Sequence, residues 1–231
     1  MAYRIVATIL WVVWHLVFRI HAVGKEKIKG IKRYVLCPNH IFAVDPLFVV
    51  LSRVWEPQML VIGKEELFEI HPFISAFFRA MGVIPVHRGK GDTQAIDQAI
   101  SDVKKGKGLL IFPEGTRSKN GFPAKPKSGA FVVAGAANAE LVPCRVIYHA
   151  GRPKLFSKVT VVFGDPVPCS QLGLDSNEKS AQVLRNAKAW LQQQWETMYL
   201  ENTTEQQRQQ DLKRAEMLEQ SRQEEKQDGN H

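Results

Sequence analysis

The sequence has 231 residues and is 45% hydrophobic, so it can bury one sizeable core, and one domain with appendages is expected. Three scattered cysteines, without pairing or metal-ligand spacing, argue against a disulfide framework and a structural zinc, and fit a reducing compartment. The net charge is +8, with −3 on residues 201–231 and +11 on residues 1–200, which favours a membrane surface or phosphorylated substrate. No nucleic-acid partner is expected, since zinc-finger, RNA-binding and helix-turn-helix patterns are absent from the sequence.

The chain begins with the apolar run IVATILWVVWHLVF (5–18), and a basic segment with six Lys/Arg and one Glu follows at 19–33. As a helix the run is about 21 Å long, against about 30 Å for a bilayer core. Its two tryptophans favour the membrane interface, and the basic segment favours anionic lipid. We therefore predict a membrane-associated helix in residues 1–24 and a monotopic or peripheral protein on the cytoplasmic face of the cell membrane. A cleaved signal peptide and a buried core helix are the alternatives.

Beyond residue 33, short apolar runs alternate with longer segments of helical character. The strand-like runs are YVLC (34–37), MLVI (59–62), VIPV (83–86), GLLIF (108–112), LVPCRVI (141–147) and VTVVF (159–163). The helix-like segments are 45–55, 65–81, 92–104, 128–138 and 176–199. This alternation predicts an α/β fold, a single domain over residues 25–200 with a mixed, mostly parallel sheet flanked by helices. Residues 201–231 are predicted to form a polar tail, either helical or disordered.

The stretch NHIFAVDP places His40 five residues before Asp45, between a predicted strand and a predicted helix. Asp45 suits a helix N-cap and Pro46 the first helical position, so His40 is expected in a loop at the sheet edge, where ligands bind. If Asp45 accepts a hydrogen bond from one ring nitrogen of His40, the other nitrogen is left as a base. Such a pair suits a substrate that brings its own hydroxyl. A capping aspartate beside an incidental loop histidine explains the spacing about as well.

Three further stretches place polar residues after predicted strands or before a predicted helix. In FPEGTRS, Gly115 permits a tight turn, Arg117 can bind phosphate through two hydrogen bonds, and Glu114 can pair with Arg117 or hold a substrate hydroxyl. In GVIPVHRGKG, Arg88 follows a strand in the manner of an anion site. In KPKSGAF, Lys127 precedes a predicted helix N-terminus, where anions bind well. Each stretch alone is also consistent with a solvated basic turn.

Together these stretches resemble the sequence blocks of the glycerolipid acyltransferases. NHIFAVD resembles their N-H-x4-D block, FPEGTRS is identical to their F-P-E-G-T-R-S block, and GVIPVHRG resembles the block between them that ends in an arginine. LVPCRVI resembles their final V-P block. The blocks stand in the same order, and the resemblance covers about residues 20–170. Size and spacing are most similar to those of the bacterial 1-acyl-glycerol-3-phosphate (lysophosphatidate) acyltransferases.

The resemblance implies an O-acyltransferase of phospholipid synthesis that needs no cofactor or metal. It would move a fatty acyl group from acyl-CoA or acyl-carrier protein to the 2-hydroxyl of lysophosphatidate, giving phosphatidate. His40 would be the general base, oriented by Asp45. The residues implied in holding the acceptor are Arg88, Glu114, Gly115, Thr116, Arg117 and Lys127, of which the two arginines and the lysine would hold its phosphate. The family's Lys-Lys-Gly-Ala run reads Lys-Ser-Gly-Ala at 127–130, so one lysine is missing.

Three other functions remain open at this point. The same chemistry can serve another acceptor, such as glycerol-3-phosphate, another lysophospholipid or a lyso-aminolipid. A hydrolase of lipid esters or thioesters needs a nucleophile near His40; Cys37 is the candidate, and the sequence has no G-x-S-x-G elbow. A non-enzymatic membrane-binding module explains the basic charge and the apolar helix, but not the two matching blocks.

Overall fold

A computed structural model describes residues 2–69, 71–86, 93–175 and 180–228 of the chain. The α-helices are α1 (Ala2–Val17), α2 (Asp45–Leu51), α3 (Glu66–Glu69), α4 (Pro72–Ala80), α5 (Thr93–Lys104), α6 (Gly129–Ala137), α7 (Ala181–Glu201) and α8 (Glu205–Asp228). The strands are β1 (Arg19–Val23), β2 (Tyr34–Pro38), β3 (Leu60–Lys64), β4 (Val83–Val86), β5 (Gly108–Leu110), β6 (Glu140–Tyr148), β7 (Lys158–Phe163) and β8 (Val167–Pro168).

These strands form one sheet in the order β1-β7-β6-β2-β5-β3-β4, with β8 paired to β6. The run β6-β2-β5-β3-β4 is parallel throughout, and β1 is parallel to β7. The two antiparallel pairs are β6 with β7 and β6 with β8. The predicted α/β fold with a mixed, mostly parallel sheet flanked by helices is therefore confirmed.

The sheet is covered by helices on both faces, which is why its central strands are apolar without interruption. Successive residues of a strand point to opposite faces. Val35 and Cys37 of β2 belong to a core that also contains residues of α5, α6 and α7, whereas Tyr34 and Leu36 belong to a core with residues of α1 and α2. The helices that follow β2 and β5 therefore pack on different faces of the sheet.

The N-terminal segment differs from the prediction after residue 17. Residues 19–23, which the prediction placed with the membrane-associated helix, form β1 at the edge of the sheet. α1 packs on α2 through Trp14 and Phe48, whose ring centroids are 5.7 Å apart. The side of α1 away from the core leaves apolar side chains exposed, namely Ile5, Ile9, Val12, Val13 and Leu16. Among the described helices, none combines the length and the apolar character needed to cross a membrane.

Two further differences from the prediction concern where helices begin. The helix expected over 65–81 is divided into α3 and α4, because Pro72 has no N–H with which to continue a helix and begins a new one. The His71 side chain accepts a hydrogen bond from the Phe73 N–H at 3.2 Å and caps α4. The N-cap of α2 is Val44 rather than Asp45, and Asp45 is its first helical residue. β8, a pair of residues, was not predicted.

The C-terminal segment folds back on the domain as α8. The Tyr199 hydroxyl at the end of α7 donates to the Asp211 carboxylate at 2.8 Å. The Gln207 side chain hydrogen-bonds His149, just beyond β6, at 2.8 Å. Asn120 donates to Glu219 at 3.0 Å. Through these contacts α8 packs beside the connection from β6 to β7 and beside residues 118–122.

Candidate active site

Loops from adjacent parallel strands meet at one edge of the sheet. β5, β2 and β6 are neighbours, and their carboxyl ends lead into residues 111–118, residues 39–44 and Tyr148. The Ser118 N–H donates to the His40 carbonyl at 2.7 Å and joins the first two loops. This edge is where α/β proteins usually bind ligands.

The chain is fixed immediately before His40 by two buried side chains. Asn39, which is fully buried, exchanges two hydrogen bonds with the main chain of Val146, at 2.7 and 3.3 Å, and so continues the pairing of β2 with β6. The indole N–H of Trp195 in α7 donates to the Cys37 carbonyl at 2.9 Å. Both contacts satisfy main-chain groups that would otherwise be unpaired where the strand ends.

The predicted contact between His40 and Asp45 is present. His40 Nδ1 lies 2.9 Å from Asp45 Oδ2, and the imidazole stacks on Phe112 with ring centroids 4.1 Å apart. The Asp45 side chain is fully buried, whereas that of His40 is 12% exposed. Because a carboxylate can only accept, Nδ1 carries a proton, and in the neutral imidazole Nε2 therefore has the free lone pair. Nε2 makes no hydrogen bond to the described residues, so it can take a proton from a bound substrate.

Asp45 is held in place by more than the histidine. Its Oδ2 also accepts the N–H groups of Ile41 at 2.6 Å and Phe42 at 2.8 Å, and its Oδ1 accepts the Tyr148 hydroxyl at 2.5 Å. Burial and the nearby Asp45 carboxylate raise the pKa of Tyr148, so its hydroxyl stays protonated and remains a donor. The carboxylate therefore has one orientation, and it transmits that orientation to the His40 ring.

Glu114 braces the loop that carries His40. Its two oxygens accept the N–H of His40 at 2.6 Å and the N–H of Ala124 at 2.7 Å, and the residue is 2% exposed. Burial raises the pKa of Glu114 to about 7, although both hydrogen bonds favour the ionised form. The pairing of Glu114 with Arg117 that the sequence suggested is not formed: the two make no ion pair within 4.0 Å, and main-chain groups occupy both Glu114 oxygens.

Gly115 and Lys127 lie against each other. Gly115 has φ +70, a left-handed conformation that favours glycine, and a Cβ there would stand 3.1 Å from Lys127 Nζ. The Lys127 N–H donates to the Pro113 carbonyl at 2.8 Å, which joins the segment before α6 to the turn after β5. Gly115 thus lets an ammonium group lie directly over the turn that follows Glu114.

The remaining predicted site residues are distributed differently. Thr116 and Arg117 are exposed, and the Arg117 guanidinium makes no hydrogen bond or ion pair with the residues that the structure describes. It is free to bind an anion. Arg88 lies outside the described residues. The structure therefore brings His40, Asp45, Glu114, Gly115 and Lys127 into one group, and it places Arg117 on the same loop.

Two residues of this region were missed by the sequence analysis. Tyr148 lies one residue beyond the predicted end of its strand, and its contact with Asp45 spans 103 positions. Arg145 of β6 is 2% exposed, and its Nε and Nη1 atoms lack hydrogen-bond partners. Burial lowers the pKa of Arg145 to about 10, which still leaves a positive charge that favours the ionised form of Glu114. Assigning Tyr148 to the carboxyl end of a strand beside β2 is the signal that could have found it.

Cys37, the nucleophile of the hydrolase alternative, is fully buried within β2. Burial raises the pKa of its thiol, and its Sγ is 3.7 Å from the Val35 carbonyl oxygen. A thiol in such surroundings is inert because the reactive thiolate is disfavoured. The geometry gives His40 no serine or cysteine partner within hydrogen-bond distance among the described residues.

Comparison with known families agrees with the arrangement of this site. A family model described as Acyltransferase matches residues 19–147, which include His40, Asp45 and the loop that carries Glu114. The chain belongs to the acyltransferase family. The part of the chain covered by the family model extends from β1 to one residue short of the end of β6, and so includes Arg145 but neither Tyr148 nor α8.

Several relatives of this acyltransferase carry the same name. The chain is 30% identical to the 1-acyl-sn-glycerol-3-phosphate acyltransferase of Borreliella burgdorferi over 132 residues, 56% of this chain and 52% of that protein. It is 27% identical to that of Bacillus subtilis over 167 residues, 71% of this chain and 82% of that protein. The matches thus span about half the length of the first relative and about four fifths of the second.

A solved structure has a similar fold. The crystal structure of the 1-acyl-sn-glycerophosphate (LPA) acyltransferase from Thermotoga maritima superposes with a TM-score of 0.64 and 21% identity. The match covers 88% of this chain and 80% of that chain. The shared architecture therefore extends beyond the residues that match the family model.

Proposed function

We propose that this acyltransferase transfers a fatty acyl group to the 2-hydroxyl of 1-acyl-glycerol-3-phosphate, making phosphatidate in phospholipid synthesis. The donor would be a thioester, acyl-CoA or acyl-carrier protein. The observation that carries the proposal is the His40 imidazole, held by Asp45 through Nδ1 at 2.9 Å with Nε2 free. A base that lacks a protein nucleophile suits transfer to a substrate hydroxyl. The names of the Borreliella and Bacillus relatives support this choice of acceptor.

The reaction follows from that geometry. His40 Nε2 takes the proton of the acceptor hydroxyl. At the same time the hydroxyl oxygen forms a bond to the carbonyl carbon of the thioester. The imidazolium that results is stabilised by the buried Asp45 carboxylate, which Tyr148 and two main-chain N–H groups hold in place. The tetrahedral intermediate then breaks its carbon–sulfur bond, and the imidazolium returns the proton to the departing thiolate. General acid–base catalysis of this kind contributes about 10²–10⁴ in rate.

The acceptor phosphate would lie on the loop after β5. Arg117 is exposed and forms no ion pair with the described residues. The Lys127 ammonium lies over Gly115, two residues before Arg117. A guanidinium and an ammonium on one loop can together bind a phosphate group. Arg88, by the family resemblance, would add a third cation. Gly115 and Thr116 would shape the acceptor site, and Glu114 would act by holding the His40 main chain.

We also propose that α1 lies in the cytoplasmic face of the cell membrane, where the acceptor resides, as in a monotopic or peripheral protein. The exposed residues of α1 recur at helical spacing along one face, and Leu16 is 71% exposed. About 24 Å of helix lies along the surface more readily than it spans a core of about 30 Å. The +11 charge of residues 1–200 supports attraction to anionic lipid.

A panel of acceptors and donors tests the proposal. The purified protein in mixed micelles would be given long-chain acyl-CoA or acyl-carrier protein with lysophosphatidate, glycerol-3-phosphate, lysophosphatidylcholine or a lyso-aminolipid. Phosphatidate formed faster than any other product is the expected result. Faster transfer to another acceptor would contradict the substrate assignment while leaving the acyltransferase chemistry in place. Release of free fatty acid without transfer would instead identify a hydrolase.

A further inference from the structure

A cavity lies near the amino end of β2, whereas His40 follows the carboxyl end of that strand. The cavity has a volume of about 270 Å³ and lies between the turn after β1 and residues 52–56 after α2. The guanidinium carbon of Arg53, which lines the cavity, is 5.8 Å from the ring centroid of Tyr34. Tyr34 begins β2, and His40 follows its last residue by two positions, so the two sites are roughly 20 Å apart at about 3.3 Å per residue. The cavity is therefore separate from the acyl-transfer site.

Arg53 is a buried cation that forms no ion pair with the residues that the structure describes. The residue is 5% exposed, and its Nε has no hydrogen-bond partner. Within the described part of the chain, no carboxylate lies within 4.0 Å of its guanidinium. Its guanidinium lies over the Tyr34 ring. A buried charge is stable when it is paired, so an unpaired guanidinium that lines an open cavity points to an anionic ligand.

Two lysines complete a cationic rim. Lys25 and Lys29 line the same cavity, are exposed, and form no ion pair with the described residues. Glu26 and Glu56 also line it, which leaves a local charge of +1. A cavity of about 270 Å³ is much larger than the roughly 30 Å³ that a water molecule takes in the liquid. The size and the free cations fit a phosphate group with part of an attached headgroup.

The surroundings of the cavity favour lipid as the source of that phosphate. Trp55 lines the cavity and is 66% exposed, and its ring lies 6.1 Å from that of Trp11 in α1. Tryptophan favours the interface of a membrane. The cavity thus lies beside the helix that we place in the membrane surface.

We infer that this cavity binds the phosphate of an anionic membrane lipid that is not the acceptor, and so anchors the edge of the sheet remote from His40. The inference rests on the proposed membrane docking of α1. Bound lipid at one edge and the apolar stripe of α1 would together fix the tilt of the domain on the bilayer, with the His40 edge held at the surface.

Vesicle binding tests this inference. The probes are phosphatidylcholine vesicles with and without phosphatidylglycerol, and the measured quantity is the ratio of the two partition constants. The variant Lys25→Gln/Lys29→Gln changes exposed side chains, so folding is preserved, and it should lower that ratio about fivefold per lysine. Arg53→Gln, with its melting temperature measured, should lower the ratio as well. The matched control Lys104→Gln/Lys213→Gln removes the same charge from α5 and α8 and should keep the wild-type ratio.

An unchanged ratio in the Lys25/Lys29 variant, or an equal loss in the control, would overturn the site. Inorganic phosphate at constant ionic strength separates the two sources of the anion. If the wild type binds inorganic phosphate in solution while its vesicle ratio equals that of the Lys25→Gln/Lys29→Gln variant, the site binds soluble phosphate and the assignment to lipid is wrong. The proposed function is tested separately, since the Lys25/Lys29 variant should keep its transfer rate in neutral micelles, whereas His40→Ala should lose transfer and keep its vesicle preference.

Discussion

At the scale of single residues, the orientation of Asp45 depends on a hydroxyl from another strand. Tyr148→Phe removes the hydrogen bond to Asp45 Oδ1 and leaves the ring contacts with Phe42 and Phe48 in place. A hydrogen bond to a charged group is worth about 1.5–3 kcal/mol, so kcat should fall roughly 10- to 100-fold. KM for lysophosphatidate should be nearly unchanged, because Tyr148 acts through Asp45 and does not touch the acceptor.

Tyr34→Phe is the matched control for that variant. Tyr34 is also a buried tyrosine of the same core, and its hydroxyl makes no hydrogen bond to the residues that the structure describes. Its kcat should therefore match the wild type. Equal losses in the two variants would show that Tyr148 contributes packing rather than orientation.

Glu114 gives the protein a distinctive dependence of stability on pH. Its pKa is about 7 in the folded protein and near 4.3 when unfolded, so between these values only the folded state holds the proton. The proton held by folded Glu114 adds to the free energy of unfolding. This added free energy is fully present below about pH 4.3 and is lost as the pH rises to about 7, by at most about 1.4 kcal/mol per pH unit. Above about pH 7 the contribution is flat.

Glu114→Gln tests this dependence by urea unfolding at a series of pH values. The variant should be less stable overall, because a glutamine has only one side-chain oxygen to accept a hydrogen bond. Its NH₂ group would then face the main-chain N–H of His40 or Ala124, which loses its acceptor. The difference in the free energy of unfolding between wild type and variant should be largest below about pH 4.3 and should shrink towards pH 7. Parallel profiles for the two proteins would contradict a raised pKa at Glu114.

At the scale of elements, α8 is fastened to the connection after β6 through a glycine. Gly151 has φ +67, and the Arg214 guanidinium, which pairs with Asp211 at 2.9 Å, fills the space where a Cβ would stand. Gly151→Ala should displace Arg214 and increase amide hydrogen exchange along α8. Gly30→Ala is the control, because Gly30 has φ +78 and no atom near the position of an added Cβ. The variant therefore introduces the same backbone strain of about 1–2 kcal/mol without displacing a side chain. Equal exchange in α8 of both variants would contradict this role for Gly151.

The same scale shows which features the sequence could predict. Runs such as 34–37 and 83–86 were predictable because central strands of a parallel sheet are apolar throughout. β1 was not predictable, because it is an edge strand and its RIHAV sequence is mostly polar or half-exposed. It therefore resembles the basic segment that follows it. The contact of His40 with Asp45 was predictable because it is local, whereas the contact of Tyr148 with Asp45 depends on the pairing of β2 with β6. The packing of α8 likewise requires partners distant in sequence.

At the scale of the whole molecule, the apolar stripe of α1 and the basic body predict how the protein meets a bilayer. Leu16→Asn should weaken binding to vesicles about tenfold or more, because burying a leucine side chain is worth about 1.5–3 kcal/mol. Leu212→Asn, at a 54% exposed leucine of α8, is the control and should bind as the wild type does. Vesicle flotation measures both. An equal effect of the two changes would contradict docking through α1.

The central claim, that His40 is the base of an acyl transfer to lysophosphatidate, is tested most directly by one comparison. Phosphatidate formation from long-chain acyl-CoA and lysophosphatidate would be measured in membranes for the wild type, His40→Ala and the exposed control His21→Ala. We predict that the wild type and His21→Ala form phosphatidate at the same rate and that His40→Ala is slower by about 10²–10⁴. A wild-type rate in His40→Ala would contradict the mechanism.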